Sequence, residues 1–286
     1  MKREAFILSI ALCIVYFLIC EWMSISKPEI QANQGLWSEN VILAQKFLYE
    51  TPDKNYNCIL GSSLSSLFYS DSLPKNLQVL GLKGLGVYDG LNLLMLKKTL
   101  PDTIYIELNV LHRGPKPEFI EKMGSTPIEL SLKKSLLFLQ EKYIPAGLFV
   151  SVIEKSIRNK KHSAPAIFLR DSVLFNSKLL MHHNYYGSQL TKKEKFCIEK
   201  ICKILKDLQK KNVKIIFFEM PVDCSLAQMK LPKEITNEVN KIFYSGTYYS
   251  LPVVDCNNYQ TTDGIHLTTA DGKKFSGVFR RYIDSL

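Results

Sequence analysis

The hydrophobic and polar positions along the chain predict alternating strands and helices. Short apolar runs that end at turn residues are typical of strands buried in a parallel sheet. Five such runs occur, at residues 58–60, 77–82, 104–110, 213–220 and 251–255. Helical spacing of apolar residues lies between several of them, most clearly over 192–211, where lysines fill the opposite face. This alternation predicts an α/β fold with a mainly parallel central sheet.

The amino terminus carries a different pattern. Residues 5–20 contain no charged side chain, and they are preceded by Lys2 and Arg3 and followed by Glu21. With the apolar residues that follow, the run approaches the roughly 17–25 residues that a membrane span requires. The basic pair predicts that the rest of the chain lies outside the cytoplasm. We expect an uncleaved transmembrane anchor at 1–25. A cleaved signal peptide is the alternative, but no small residues are well placed for its cleavage site.

The rest of the chain divides into a connector and a domain. Residues 26–57 are predicted to form a juxtamembrane connector with one helix, and residues 58–286 a single domain. Within that domain, residues 113–192 interrupt the strand and helix alternation and are too long for a plain loop. Because they carry helical patterns, as over 128–143 and 149–157, we expect a helical insertion over one end of the sheet.

Composition narrows the class of protein. Hydrophobic residues make up 46% of the 286 residues and charged residues 22%, which excludes a disordered or collagen-like chain. Lys and Arg number 37 against 27 Asp and Glu, and the net charge of +10 by itself invites a nucleic-acid interpretation. We expect no nucleic acid as partner, because no recognition motif is present and the predicted topology exports the charged body. An anionic lipid or glycan neighbourhood, or solubility, explains the charge better there.

The seven cysteines do not predict a metal site. No Cys-x-x-Cys occurs, and no Cys/His cluster has the spacing of a zinc site. Cys224 and Cys256 each follow a predicted strand, so the fold could bring these two residues together. Small buried apolar side chains are nevertheless the favoured interpretation of all five cysteines in the body. We expect no metal and no cofactor.

Chemistry-bearing residues follow the strands at the edge where parallel sheets bind ligands. Gly61-Ser62-Ser63 comes directly after the first strand, where the glycine permits a tight turn and a serine points into the crevice. Asp263-Gly264-Ile265-His266 lies near the carboxyl terminus. An Asp three residues before a His orients the imidazole, as in hydrolytic triads. Taken alone, each block also suits a capped turn or an ordinary polar loop.

Two further strand ends supply hydrogen-bond donors. Asn109 ends the third strand, where its amide can donate to an oxyanion, and Gly84 follows the second, where its N–H can approach a substrate closely. A strand-end cap and a plain turn are the alternatives. His112 follows the third strand, where it could line the crevice, but an ordinary structural role is favoured. His182-His183 could touch a carbohydrate, but a solvated loop is favoured for this pair.

The four blocks together resemble the SGNH, or GDSL-like, hydrolase superfamily over roughly residues 58–286. The resemblance implies a flavodoxin-like, three-layer α/β fold with a parallel central sheet. It also implies that Ser63 is the nucleophile, that His266 is the general base and that Asp263 orients His266. The letters that carry it are Ser63, Gly84, Asn109 and His266.

The same resemblance implies an oxyanion hole made by the backbone N–H groups of Ser63 and Gly84 and by the Asn109 side chain. Two blocks depart from the family pattern. The first is usually Gly-Asp-Ser and here has Ser62 in the middle, and the third is usually Gly-x-Asn-Asp and here is Glu107-Leu108-Asn109-Val110. Ser63 and the Asp-x-x-His block are therefore firmer predictions than Asn109.

The two altered blocks, the amino-terminal anchor and the helical insertion together resemble the membrane-anchored branch of the superfamily more than its other members. Members of that branch serve in acyl transfer to cell-envelope polymers, as in polysaccharide O-acetylation or D-alanylation, often beside a multi-pass membrane acyltransferase. By this resemblance we expect an extracytoplasmic serine esterase or O-acyltransferase, held at the cell membrane, that moves an acetyl-type group on an envelope or exported polysaccharide. The alternative is a non-catalytic scaffold of the same fold that partners a multi-pass membrane acyltransferase. The two hypotheses differ in whether His266 reaches Ser63.

Overall fold

The computed structural model describes residues 2–27, 30, 32, 35–52, 54–124, 126–158, 172–243 and 249–286. Its helices are α1 (Lys2–Ser26), α2 (Leu36–Glu50), α3 (Val87–Met95), α4 (Pro117–Met123), α5 (Pro127–Ser135), α6 (Pro145–Arg158), α7 (Ser172–Tyr186), α8 (Lys192–Gln209), α9 (Cys224–Ala227), α10 (Lys230–Ile242) and α11 (Thr269–Asp284). Its strands are β1 (Asn57–Ser62), β2 (Leu77–Leu82), β3 (Thr103–Glu107), β4 (Lys214–Phe218) and β5 (Tyr249–Ser250). Short 3-10 helices occupy Ser65–Leu67, Ser70–Ser72, Leu137–Leu139, Glu141–Tyr143 and Cys256–Asn258.

The chain divides into two compact units. The first, the anchor unit, comprises residues 1–50 and 117–167, and the second, the sheet unit, comprises residues 51–116 and 168–286. The segment 113–192, predicted as an insertion into one domain, is therefore shared between the units.

The sheet unit contains a five-stranded parallel sheet, so the predicted α/β class is confirmed. The strand order is β2-β1-β3-β4-β5, and each neighbouring pair is parallel. This is a common doubly wound order, in which ligands bind beyond the carboxyl ends of the strands at the point where the order reverses. The reversal lies between β1 and β3, because β1 pairs with both β2 and β3. The residues that follow these two strands therefore occupy the favoured position for a site.

The inner strands are apolar because they are buried. Ile59 and Leu60 of β1 and Ile216 and Phe217 of β4 are all fully buried. Complete burial of one such side chain contributes about 1.5–3 kcal/mol relative to exposure, so a polar residue within these strands requires a specific partner.

Two predicted elements differ from those observed. The last strand is β5, Tyr249–Ser250, and the predicted residues 251–255 lie beyond it. The N–H of Leu251 still donates to the carbonyl of Phe217 at 2.8 Å, but Pro252 has no N–H to continue the ladder. The helix predicted over 128–143 ends at Ser135, and two 3-10 turns follow it.

Aromatic packing fixes the last helix against the sheet. The ring of Phe279 in α11 lies 4.8 Å from that of Phe68, 5.3 Å from that of Tyr105 and 5.2 Å from that of Phe218, measured between centroids. All four side chains are buried. The start of α11, and with it the loop that precedes the helix, is therefore held at a defined position beside the sheet.

Among the described residues, the helix that is long and apolar enough to cross a membrane is α1 of the anchor unit. Towards its end, Phe17 packs edge-on against Phe138, and the hydroxyl of Tyr16 donates to the carbonyl of Tyr143. Elsewhere in this unit, the side chain of Gln45 accepts the N–H of Glu141 at 2.8 Å.

The cysteines follow the prediction only in part. Cys58, Cys197 and Cys202 are free and buried, as expected of small apolar residues. Cys224 and Cys256 form a disulfide, with 5.3 Å between their Cα atoms, so the favoured interpretation was wrong for this pair. Spacing along the chain did not reveal the pairing, because the two residues are 32 positions apart and meet only through the fold.

Candidate active site

The first strand carries Ser63 to the reversal point of the sheet. Ser62 is the last residue of β1, and Ser63, the next residue, is half-buried. A glycine is required at position 61 because a Cβ there would collide with the side chains of Ser65 and Glu107. Close packing, rather than an unusual backbone angle, is thus the reason for Gly61.

A buried carboxylate holds the turn around Ser63. Glu107, the last residue of β3, is fully buried. Its Oε1 accepts the hydroxyl of Ser62 at 2.7 Å, and its Oε2 accepts the N–H groups of Ser62 at 2.9 Å and Ser65 at 3.2 Å. The Ser65 hydroxyl also donates to Oε2. Four donors compensate the desolvation of the charge, and they fix the chain on both sides of Ser63.

A second loop presents His266. Thr261 and Leu267 form an antiparallel bridge that closes the loop. Inside it, Asp263 Oδ1 accepts the N–H of His266 at 2.8 Å. Gly264 has a φ of 101°, in the left-handed region that favours glycine, and this lets the chain turn between the carboxylate and the ring. The Asp-Gly-x-His sequence therefore brings the carboxylate of Asp263 into contact with His266 through the turn between them.

The two loops bring a serine, a histidine and an aspartate into one hydrogen-bonded series. His266 Nδ1 lies 2.7 Å from Asp263 Oδ2, and His266 Nε2 lies 2.9 Å from Ser63 Oγ. An ionised carboxylate only accepts hydrogen bonds, so it selects the tautomer with the proton on Nδ1. The lone pair of Nε2 then faces the hydroxyl proton of Ser63.

The electrostatics of the pair keep the carboxylate charged. Burial alone raises the pKa of Asp263, but hydrogen bonds from the side chain of His266 and from backbone N–H groups outweigh it and lower the pKa to about 2. Asp263 therefore carries its negative charge at any pH near neutrality, where it can stabilise the positive charge that the imidazole of His266 gains on accepting a proton.

The remaining predicted residues, Gly84 and Asn109, do not line the cavity at Ser63. Gly84 has a φ of 73°, and a Cβ there would meet no atom within 4 Å, so its backbone borders open space. Both ends of the Asn109 amide bind the backbone of Met220: Nδ2 donates to the carbonyl at 3.0 Å, and Oδ1 accepts the N–H at 2.8 Å. Asn109 thus ties the end of β3 to the segment after β4.

A cavity of about 280 Å³ opens beside Ser63. Most of its walls are apolar or aromatic side chains. The residues that line it are Ser62, Ser63, Leu64, Val110, Arg113, Met181, His182, Tyr185, Tyr186 and Ile265. The expected solvated loop at His182-His183 is wrong, because both residues belong to α7 and His182 faces this cavity.

A buried histidine stands behind one wall of the cavity. His112 Nε2 lies 2.6 Å from the hydroxyl of Tyr185, and only 2% of the His112 side chain is exposed. Burial, partly opposed by Glu194, lowers the pKa of His112 to about 4, so the ring is neutral near neutral pH. His112 therefore positions a cavity-lining tyrosine and does not itself line the crevice.

The chain contains a second group of the same three residue types. Ser225 Oγ lies 2.7 Å from Asp223 Oδ1 and 2.9 Å from His183 Nε2. Asp223 is the N-cap of the short helix α9 and also accepts the N–H of Ser225 at 3.0 Å. Here the serine stands between the other two residues, and the aspartate performs ordinary helix capping.

The sequence did not point to several residues of this site. Ser65 and Glu107 hold the turn, and Arg113 lines the cavity. One signal was present for Glu107, since it interrupts an apolar run predicted as a buried strand and a buried acid must find donors. The others lacked such a signal.

No group of His, Cys, Asp or Glu side chains suited to a metal ion occurs within the described residues. No protein-family model matches the chain, and the comparison with curated proteins finds no match. The case for a function therefore rests on the geometry of the site.

Proposed function

We propose that this protein is an extracytoplasmic serine esterase or O-acyltransferase that acts on an acyl ester of a glycan. The observation that carries the proposal is the series Ser63–His266–Asp263, with 2.9 Å between Ser63 Oγ and His266 Nε2 and 2.7 Å between His266 Nδ1 and Asp263 Oδ2. A serine hydroxyl is a weak nucleophile until a base in hydrogen-bond contact accepts its proton. His266 is within that reach, and Asp263 holds it in the required tautomer.

The first half of the reaction forms an acyl-enzyme. Ser63 Oγ attacks the ester carbonyl carbon while His266 Nε2 accepts the hydroxyl proton, which gives a tetrahedral oxyanion. When this intermediate collapses, the C–O bond to the alcohol breaks and His266 returns the proton to the departing oxygen. The acyl group is then an ester of Ser63.

The second half releases the acyl group. Water or a sugar hydroxyl attacks the acyl-enzyme, and His266 Nε2 accepts the proton of the attacking oxygen. Collapse of the second tetrahedral intermediate breaks the C–O bond to Ser63 Oγ, which takes the proton back from His266. Hydrolysis and transfer use the same residues, and they differ only in the acceptor that enters the site.

The two residues that depart from the SGNH pattern, Ser62 and Glu107, contact each other. This contact supports the resemblance. The family pattern has a carboxylate at the position of Ser62 and a glycine at that of Glu107. Here the carboxylate stands at Glu107, and it accepts hydrogen bonds from both the N–H and the hydroxyl of Ser62. A carboxylate is thus in contact with the nucleophile turn, although it comes from β3 and not from the turn itself.

An exported location is supported by two separate features. The apolar helix α1 is long enough to anchor the chain in a membrane, and the basic residues at its start favour an amino terminus in the cytoplasm. The Cys224–Cys256 disulfide is typical of oxidising compartments outside the cytoplasm. By analogy of architecture, we propose that the substrate is an envelope or exported polysaccharide that carries an acetyl-type group. We propose a multi-pass membrane acyltransferase as the partner of this protein.

The scaffold alternative predicts that Ser63 and His266 have drifted apart. A distance of 2.9 Å between the reacting atoms favours the catalytic hypothesis over the scaffold.

A fluorophosphonate probe, which reacts with activated serines, tests the proposal on the full chain in detergent. We expect labelling of the wild-type protein and complete loss of labelling in Ser63→Ala. Ser225→Ala is the matched control, because it removes a serine that also contacts a histidine and an aspartate, and it should be labelled like the wild type. Labelling that persists in Ser63→Ala, or a wild-type protein that does not react, would refute the assignment.

A further inference from the structure

One charged side chain lines the cavity at Ser63. Arg113 follows β3 by a short loop and is half-buried. Its neighbours in the cavity wall include Val110, Met181 and Ile265, which are apolar. His182 also lines the wall, and burial lowers its pKa, which favours the neutral ring. A lone guanidinium in such a wall is an unusual placement, because charged groups lose hydration when they are enclosed.

The protein satisfies only part of the hydrogen-bonding capacity of Arg113. Nη1 donates to the carbonyl of Leu85 at 3.2 Å, and the guanidinium lies beside the side chain of Tyr185. Within the described part of the chain, no Asp or Glu forms an ion pair with Arg113. A guanidinium carries five N–H donors in a planar fork. Donors and a full positive charge therefore remain for a molecule that enters the cavity.

The negative groups of the site are already engaged elsewhere. Asp263 is hydrogen-bonded to His266, and Glu107 accepts its four hydrogen bonds from Ser62 and Ser65. Neither carboxylate neutralises Arg113. The unmatched charge thus faces the same cavity as the candidate nucleophile.

We propose that Arg113 binds an anionic oxygen group of the substrate, a carboxylate or a phosphate, and so selects an acylated anionic glycan over a neutral one. This inference rests on the proposed function of Ser63. A guanidinium fork matches carboxylate and phosphate oxygens in geometry and charge. A cavity of about 280 Å³ accommodates an acyl group together with part of a sugar ring. The net charge of +10 agrees with the proposal, since it attracts an anionic polymer at long range.

Paired esters test this selectivity on the full chain. 4-Nitrophenyl acetate is neutral, whereas 5-acetoxy-2-nitrobenzoate carries the same acetyl group on a ring with a carboxylate. We expect kcat/KM to favour the anionic ester in the wild type, and the ratio of the two values to fall roughly 10- to 100-fold in Arg113→Met. Arg113→Lys should retain part of the preference. Arg280→Met, which removes a surface arginine paired with Asp284, should leave the ratio unchanged.

Protection from the fluorophosphonate probe identifies the anion and works without turnover. Galacturonate and glucose 6-phosphate should each be compared with galactose and glucose. Protection by galacturonate alone indicates a carboxylate, and protection by glucose 6-phosphate alone indicates a phosphate. Either protection should be lost in Arg113→Met.

A charge preference or protection that is absent in the wild type, or equal in Arg113→Met, would overturn the proposal. Because Ser63 would still be labelled in that case, the failure differs from that of the proposed function, in which Ser63 does not react. Thermal unfolding of each variant separates a loss of binding from a loss of structure.

Discussion

Two groups in this protein combine a serine, a histidine and an aspartate, and the order of contacts differs between them. In the first, the ring of His266 lies between Ser63 Oγ at 2.9 Å and Asp263 Oδ2 at 2.7 Å. In the second, the hydroxyl of Ser225 lies between the carboxylate of Asp223 and the ring of His183. The second group has similar distances but a different central residue.

The central residue decides what each group can do. A hydroxyl has a single proton. In the second group that proton goes to the carboxylate, so the histidine must donate to the serine oxygen and cannot act as its base. In the first group the carboxylate holds the far side of the imidazole, and Nε2 is free to accept. Residue types and short distances are therefore insufficient evidence for catalysis, and the direction of the hydrogen bonds supplies the rest.

The largest expected effect tests this direction of proton transfer. His266→Ala should lower the rate of ester cleavage roughly 10²- to 10⁴-fold, because it removes the base that accepts the Ser63 proton. His183→Ala, the matched change in the second group, should alter kcat/KM by less than about twofold, and steady-state rates with 4-nitrophenyl acetate measure both. Equal losses in the two variants would show that the two histidines do not differ in this role.

The carboxylates beside the two serines, Glu107 and Asp223, should contribute different amounts to the free energy of unfolding. Glu107→Gln should cost roughly 3 kcal/mol of unfolding free energy, because it leaves buried donors of Ser62 and Ser65 without their acceptor. Asp223→Ala, which removes an N-cap at the second group, should cost only about 1 kcal/mol. Urea unfolding of the full chain in detergent measures both changes, with the exposed substitution Glu199→Gln as the reference near zero. A Glu107→Gln protein as stable as that reference would show that the buried carboxylate does not hold the turn.

The smallest expected effect is the pH dependence of the Asp263 contribution. The folded-state pKa of Asp263, about 2, lies below the ordinary value of 3.8. The hydrogen bonds to His266 therefore stabilise the fold above about pH 4, and this contribution disappears as the pH falls through 2. It amounts to about 2 kcal/mol. The difference in unfolding free energy between the wild type and Asp263→Asn should be full at pH 6 and vanish towards pH 2; a constant difference would contradict this origin.

The blocks that the sequence made visible are those in which the interaction is local. Asp263 and His266 are three residues apart, and the glycine between them permits the turn that joins their side chains. By contrast, Asn109 was assigned to an oxyanion hole by its position at a strand end. The structure places both ends of its amide on Met220, 111 residues away. A side chain's direction at a strand end depends on what packs beside it, and the local sequence does not contain that information.

The sequence by itself determined the class of fold and the apolar amino-terminal helix, because burial imposes a period of hydrophobic residues that can be counted along the chain. It also marked Ser63 as the residue that leaves the first strand. Only the tertiary structure decided which distant groups meet: Glu107 with Ser62, 45 residues apart, and His266 with Ser63, 203 residues apart. Such pairs depend on strand order and on the packing of α11 against the sheet, and the whole core, not any short segment, fixes both. The same packing leaves Nε2 of His266 free to accept the proton of Ser63, whereas His183 donates to Ser225.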